Sequence, residues 1–170
     1  MILYSTGGLM AQDIFLRLTG IAGESTDRVH SNEIEVLTWD WSVSQQSTMH
    51  MGSGGGADRC TVDDLTFEHY IDRATPNLLQ YCVTGKHIGS AVPVMRKAGG
   101  TPLEYLTITL EDVLVTEVKQ VGNVTMRAPR EEIRLSFARV RQEYVIQNAG
   151  GGSAGAVSAA YDIKTGRSFR

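Results

Sequence analysis

The chain reads as a mainly β domain with one short α-helix, and three features of the sequence predict this. Two long stretches, 103–118 and 133–146, alternate apolar and polar residues with the two-residue period of a strand. Glycines cluster at a few seams between such stretches, as ordered elements separated by loops require. Helical periodicity is confined to the segment that follows Thr75-Pro76.

The first strand begins near Asp13, where Ile14, Leu16 and Leu18 alternate with Phe15 and Arg17, and Gly20 ends it. The polar stretch 23–31 is an exposed connection to a second strand, 33–43. There Ile34 and Val36 share one phase and Leu37, Trp39, Trp41 and Val43 the other, a slip that predicts a bulge near Val36 and Leu37. Trp39 and Trp41 share a face, so Asp40 points the opposite way. Residues 44–57 carry no apolar period and form a long loop, the kind that is either functional or disordered. A further strand over 65–71 sets Leu65, Phe67 and His69 against Thr66, Glu68 and Tyr70.

Thr75 followed by Pro76 signals a helix start, with the threonine oxygen available as a cap and proline losing no hydrogen bond in the first turn. Leu78, Leu79, Cys82 and Val83 recur at helical spacing, and Gly85 supplies the left-handed stop. The segment 91–97 is a strand that Pro93 assigns to an edge or a bulge. After a turn at 98–102 come the two long strands, joined by a charged hairpin loop, 119–131. The first changes phase at Val113 and Val115, and the second runs Ile133, Leu135, Phe137, then Val140, Tyr144, Ile146. Strands this long need bulges to bend, which points to a curled sheet or a barrel. Residues 149–170 open with linker composition and are expected to be a flexible tail.

The 170 residues and 42% apolar content suit one domain with one core. A net charge of -3 provides no concentrated positive field, so neither nucleic acid nor a membrane surface is an expected partner. No apolar run is long enough for membrane insertion. The first nine residues lack a basic residue and do not form a signal peptide. Cys60 and Cys82 are expected to be free thiols packed in the interior, because a secreted scaffold reliant on bridges carries more cysteines.

No catalytic, cofactor-binding or metal-ligating constellation emerges. Asp63 and Asp64 are adjacent in an extended segment and point apart, and Glu131 with Glu132 reads as another solvated pair. His30, His50, His69 and His87 lie on different elements, without metal-ligand spacing. Met49-His50-Met51 offers soft donors but no second ligand cluster, so those methionines suit packing against a neighbouring protein surface. The glycine run 52–56 lacks the Lys-Ser/Thr of a phosphate loop.

Short motifs then identify a family. Met10-Ala11-Gln12-Asp13-Ile14-Phe15-Leu16 resembles the opening of haemolysin-coregulated proteins (Hcp), and Gly23-Glu24-Ser25, Glu33-Ile34, Trp39-Asp40-Trp41, Ser44-Gln45 and Met49-His50-Met51-Gly52 continue the resemblance. Further matches are Asp64-Leu65-Thr66-Phe67, Tyr70-Ile71-Asp72, Thr75-Pro76-Asn77-Leu78, Gly85-Lys86-His87, Arg96-Lys97-Ala98-Gly99-Gly100 and Glu104-Tyr105-Leu106. They occur in order over 10–147, which makes 1–9 an extension, 10–148 the Hcp-like domain and 149–170 the tail.

The resemblance implies a non-enzymatic β-barrel of two sheets with one flanking helix, assembled as a hexameric ring. Such rings stack into the inner tube of the type VI secretion system, which a contracting sheath propels into target cells with effectors in its lumen. Sheath and spike components are then partners, and the protein is cytoplasmic before firing and secreted afterwards without a signal peptide. By the same resemblance Asp40 lies on the channel wall as an effector contact. The loop 44–57, with Ser44, Gln45, Met49, His50, Met51 and Gly52, contacts adjacent subunits or rings. A phage-like tail-tube subunit shares this logic. A small β-barrel ligand-binding module is the other alternative, although Trp39, Trp41, Phe67 and Phe137 are bulky enough to fill an interior.

Overall fold

A computed structural model of the chain describes residues 12–47, 60–98 and 101–170. Its elements in chain order are β1 Gln12–Leu18, β2 Ile34–Glu35, β3 Thr38–Asp40, β4 Val43–Ser44, β5 Thr61–Val62, β6 Leu65–Tyr70, α1 Thr75–Thr84, β7 Ile88–Lys97, β8 Leu103–Val121, β9 Arg130–Gln147, β10 Ser153–Asp162 and β11 Arg167–Phe169.

The β8–β9 hairpin, with strands of 19 and 18 residues, is the frame. One edge of β9 is given wholly to β8. The other is shared end to end: β6 pairs from Arg130 to Leu135, and β10 from Arg139 to Gln147. Where those two partners meet, the free carbonyl of Ala138 accepts the Ile163 N–H. At the same level the buried phase shifts in both strands, from Leu110 to Val113 on β8 and from Phe137 to Val140 on β9. Asp112, with φ 55°, is the left-handed residue at that kink. The ladder keeps its register across it, Glu111 facing Arg139 and Val113 facing Phe137. The kink lets the two halves of one nine-stranded sheet enclose a common core, and a separate β4–β5 ribbon completes the β structure.

The phase slip at Val36 and Leu37 marks a change of partner, so the single bulged strand expected over 33–43 is three short strands. β2 follows β1, and the Val36 N–H reaches the Ile14 carbonyl. One residue later the Leu37 N–H donates to Glu68, and β3 follows β6. No backbone donor is stranded by the crossing, which is what makes it cheap.

Pro93 departs from the expected edge or bulge position. β7 lies between β1 and β8, with Pro93 facing Leu16. On the β8 side the pairing skips Val92 and Pro93, between Ala91–Leu110 and Val94–Thr107, so the missing donor falls in a gap of the ladder.

In α1 the expected cap is replaced. The Thr75 hydroxyl accepts from the Asp72 N–H and donates to Glu131, while Asp72 Oδ1 accepts the Ala74 N–H. Gly85, at φ 64°, ends the helix as predicted. Of the apolar stripe, Leu78 is buried and Cys82 half-buried, but Leu79 and Val83 remain 49% and 73% exposed. The helix packs on β8.

Residues 149–170 depart most from expectation. Instead of a flexible tail they contribute β10 and β11, continuous with the main sheet. The cause is tertiary: the upper edge of β9 has backbone groups to satisfy, and a chain of small residues lies against it without steric conflict.

The core draws on every large strand and the helix, with Leu16, Ile34, Phe67, Leu78, Ile108 and Leu135 at 1% exposure or less. Trp39 and Trp41 pack against it from the rim. Burial of each such aliphatic or phenyl side chain contributes roughly 1.5–3 kcal/mol, so the fold rests on this cluster rather than on surface ion pairs.

Candidate functional site at the sheet faces and edges

The outer face of the β3–β6–β9–β8 limb is polar by alternation, since its inner face is core. Asp40, Thr66, Arg134 and Glu117 stand in one row across the four strands. Arg134 Nε is 2.7 Å from Glu117 Oε2, and Asp40 is exposed, with no ion pair among the described residues. Beside Asp40 lies an open recess of about 450 Å³, lined by Ser42, Asp63, Asp64, Thr66 and Arg134 among others. Its carboxylates are held apart: Asp63 accepts from the Ser42 hydroxyl, and Asp64 from Thr116 at 2.6 Å. Among the described residues no three His, Cys, Asp or Glu side chains group so as to hold a metal ion.

A different feature marks the upper end of the sheet. The core-facing phase of β9 continues past buried Val140 through Gln142 and Tyr144 to Ile146, and on β10 through Ala159 to Val157. On β8 the same phase is covered, with Ile108, opposite Gln142, at 0% exposure and Leu106, opposite Tyr144, half-buried. On β9 and β10 it is bare: Tyr144 is 47%, Ile146 42% and Val157 62% exposed. Tyr144 and Val157 face each other directly across the strands. β11 pairs only with Ala160 to Asp162, so the outer edge of β10 from Ser153 to Ala159 has no strand beside it among the described residues. An apolar face and an open strand edge at one place are what a protein partner covers.

Two polar knots brace these surfaces. His69 on β6 and Glu131 on β9 face each other in register, both buried, with Nε2 2.8 Å from Oε1. Thr75 Oγ1 donates to the same oxygen at 2.7 Å, and Gln120 reaches Oε2 at 3.2 Å, so one carboxylate ties β6, β8, β9 and α1 together. The expectation that Glu131 is solvated is therefore wrong. It stands in the buried phase with Ile133 and Leu135, and that phase was the signal that could have found it. The second knot is Arg96, which pairs with Asp13 at 2.9 Å and Asp27 at 2.6 Å and lies over the Phe15 ring. Its hydrogen bond holds the Asp27 carboxyl well below the usual carboxylate range. His30, stacked on the Phe15 ring, bridges Glu33 and Glu104.

The predicted contact residues are placed as follows. Asp40 is outward, opposite the inward Trp39 and Trp41. Ser44, in β4, and Gln45, directly after it, are exposed. Met49, His50, Met51 and Gly52 lie outside the described residues. Cys60 and Cys82 are free and half-buried, Cys60 bonding the Tyr161 hydroxyl.

This architecture recurs in known proteins. Residues 15–144 match the family model described as type VI secretion system effector, Hcp. Protein hcp1 of Pseudomonas aeruginosa is 46% identical over 147 residues, covering 86% of this chain and 91% of the relative. The crystal structure of Hcp1 from Salmonella typhimurium is 49% identical, with a TM-score of 0.79 over 94% of this chain and all of that one. A solved type six secretion system protein, 24% identical, has a TM-score of 0.89 over 94% of this chain and 100% of that one, a likeness of fold alone. Fold and matches together define a tube protein of the type VI secretion system. The chain belongs to the Hcp family.

Proposed function

We propose that the chain assembles as a hexameric ring whose copies stack into the hollow inner tube of the secretion machine. The observation that carries this reading is the bare core-phase stripe of Tyr144, Ile146 and Val157 beside the open edge of β10. A closed ring covers both at once, because a head-to-tail contact repeated around an axis leaves no edge over. The polar limb with Asp40 then faces the channel and meets effectors, and the segment 44–57 contacts the adjacent subunit or ring. Sheath and spike components engage the assembled tube. The protein works by shape and surface rather than catalysis, remaining in the cytoplasm until firing and leaving without a signal peptide.

The test is the mass and shape of the purified chain by light scattering and negative-stain microscopy. The unaltered chain is expected as open-centred hexamers. Tyr144→Asp or Val157→Asp places an uncompensated charge in the contact, and a cost of several kcal/mol weakens association by roughly 100-fold or more. The variants are expected as folded monomers. Monomers of the unaltered chain would sink the ring reading, and intact variant rings would remove the stripe from the interface.

The two finer assignments have their own readout. Rings carrying Asp40→Gln should capture fewer effectors in pull-downs, and rings lacking 49–56 should form without stacking. Unchanged capture across all effectors tested, or normal tubes, counts against each in turn.

A further inference from the structure

The two ends of the β3–β6–β9 limb differ in charge and shape. Tyr70 pairs with Arg130, so the β8–β9 hairpin tip, 122–129, lies at the closing end of β6. Asp40 pairs with Thr66, so β3 runs out toward the opening end, where Val43 pairs with Val62 in the β4–β5 ribbon. Tip and ribbon therefore occupy opposite ends of the same limb.

The tip is built rather than loose. Asn123 Oδ1 accepts from the N–H groups of Thr125 and Met126, both at 3.0 Å, and from the Thr125 hydroxyl at 2.6 Å. At its base the Ile71 N–H donates to the Pro129 carbonyl. On this fixed turn Val124 is fully exposed. Arg127 is exposed as well, and among the described residues no carboxylate pairs with it. The neighbouring cation Arg130 is already paired with Glu68, and Lys119 faces Glu132 across the strands, which leaves Arg127 as the tip's uncompensated charge.

The opposite end mirrors this. Asp40 and Asp63 are exposed there, Asp64 is close by, and Val43 is 52% exposed on the ribbon. A rigid apolar knob beside one cation thus has its complement, an exposed valine beside carboxylates, at the far end of another copy. Contact between like ends would oppose Arg127 to Arg127, or acid to acid, so the charges allow only a head-to-tail arrangement.

We infer that the 122–129 tip of one copy seats on the β4–β5 ribbon of a second copy in the next ring, with Val124 against Val43 and Arg127 against Asp63. The inference rests on the ring-and-tube reading and names the surface that receives the tip.

Charge reversal tests it in the full-length chain. Ring formation is read by light scattering, and end-to-end association by sedimentation velocity at high protein concentration and by tube length in micrographs. Arg127→Asp and Asp63→Arg are each expected to leave rings intact and to shorten tubes at least about tenfold. The double variant Arg127→Asp/Asp63→Arg restores opposite charges at every junction, and its tubes should recover to at least half the original length. The inference is overturned if either single reversal stacks as the unaltered chain does, if the double variant is no better than the singles, or if unaltered rings never associate. All three outcomes leave the ring standing, whereas a monomeric unaltered chain removes ring and junction together. In a Cys60→Ser/Cys82→Ser background, mixed Val124→Cys and Val43→Cys rings should give a disulfide-linked heterodimer on oxidation, and neither variant should do so alone. Absence of that band where tubes are present also overturns it.

Discussion

At the residue scale the most constrained group is Glu131. Burial pushes its carboxyl up, but the hydrogen bonds from His69, Thr75 and Gln120 outweigh burial, and it titrates below its ordinary 4.5. A depressed carboxyl stabilises the fold fully above its unfolded value and ceases to do so as pH falls through the lower folded one. Asp72, raised by burial, acts in the opposite sense, because the fold favours its protonated form. Asp27, held low by its hydrogen bond from Arg96, acts in the same sense as Glu131, so the depressed carboxyls should set the sign of the acid limb. Glu131→Gln is expected to lower stability at pH 7 by about 1.5–3 kcal/mol, the range for a hydrogen-bonded charge. It should also flatten the loss of stability below pH 4.5. Thermal midpoints of both chains between pH 7 and pH 3 check this, and an equally steep acid limb in the variant would assign the acid sensitivity elsewhere.

At the element scale, what was legible in the sequence was whatever alternation alone decides. The inward Trp39 and Trp41 with outward Asp40, the shared face of Leu65, Phe67 and His69, and the phase change at Val113 all appear where the periodicity puts them. What was not legible depends on partners distant along the chain. His69 and Glu131 are 62 residues apart, and register alone brings them together, so a buried carboxylate passed for a solvated one. The slip at Val36 and Leu37 is visible in the sequence, but whether it is a bulge or a change of partner is decided by β1 and β6 on either side. Pro93 signalled an edge or a bulge because a proline cannot report that the adjoining ladder has a gap in front of it. Of the candidate site, the orientation of Asp40 was legible. The bare stripe was only partly so, since Tyr144 and Ile146 read as ordinary core positions, and their exposure depends on which strands lie opposite them, which alternation does not report.

At the scale of the whole molecule, the segment 153–169 decides whether the sheet ends safely. Ser153, Ala154, Gly155, Ala156 and Ser158 have the composition of a linker, yet Ser153, Ala156 and Ser158 pair with β9, across a register shift that passes over Ala154 and Gly155. Tyr161 and Ile163 then pack against the core, and Lys164 reaches Asp112, which it and His87 hold down at about 2. Removing 149–170 would therefore do more than shorten a tail. It strips β9 of its partner from Arg139 to Gln147 and leaves a long, flat edge next to Tyr144 and Ile146, the combination that invites edge-to-edge aggregation. The truncated chain is expected to lose most of its soluble yield, and the soluble remainder to melt several degrees below the full chain. Soluble fraction and thermal midpoint, measured side by side, check this: a true linker could be removed without changing either, and equality of the two chains would mean that β10 adds nothing to the stability of the sheet it completes.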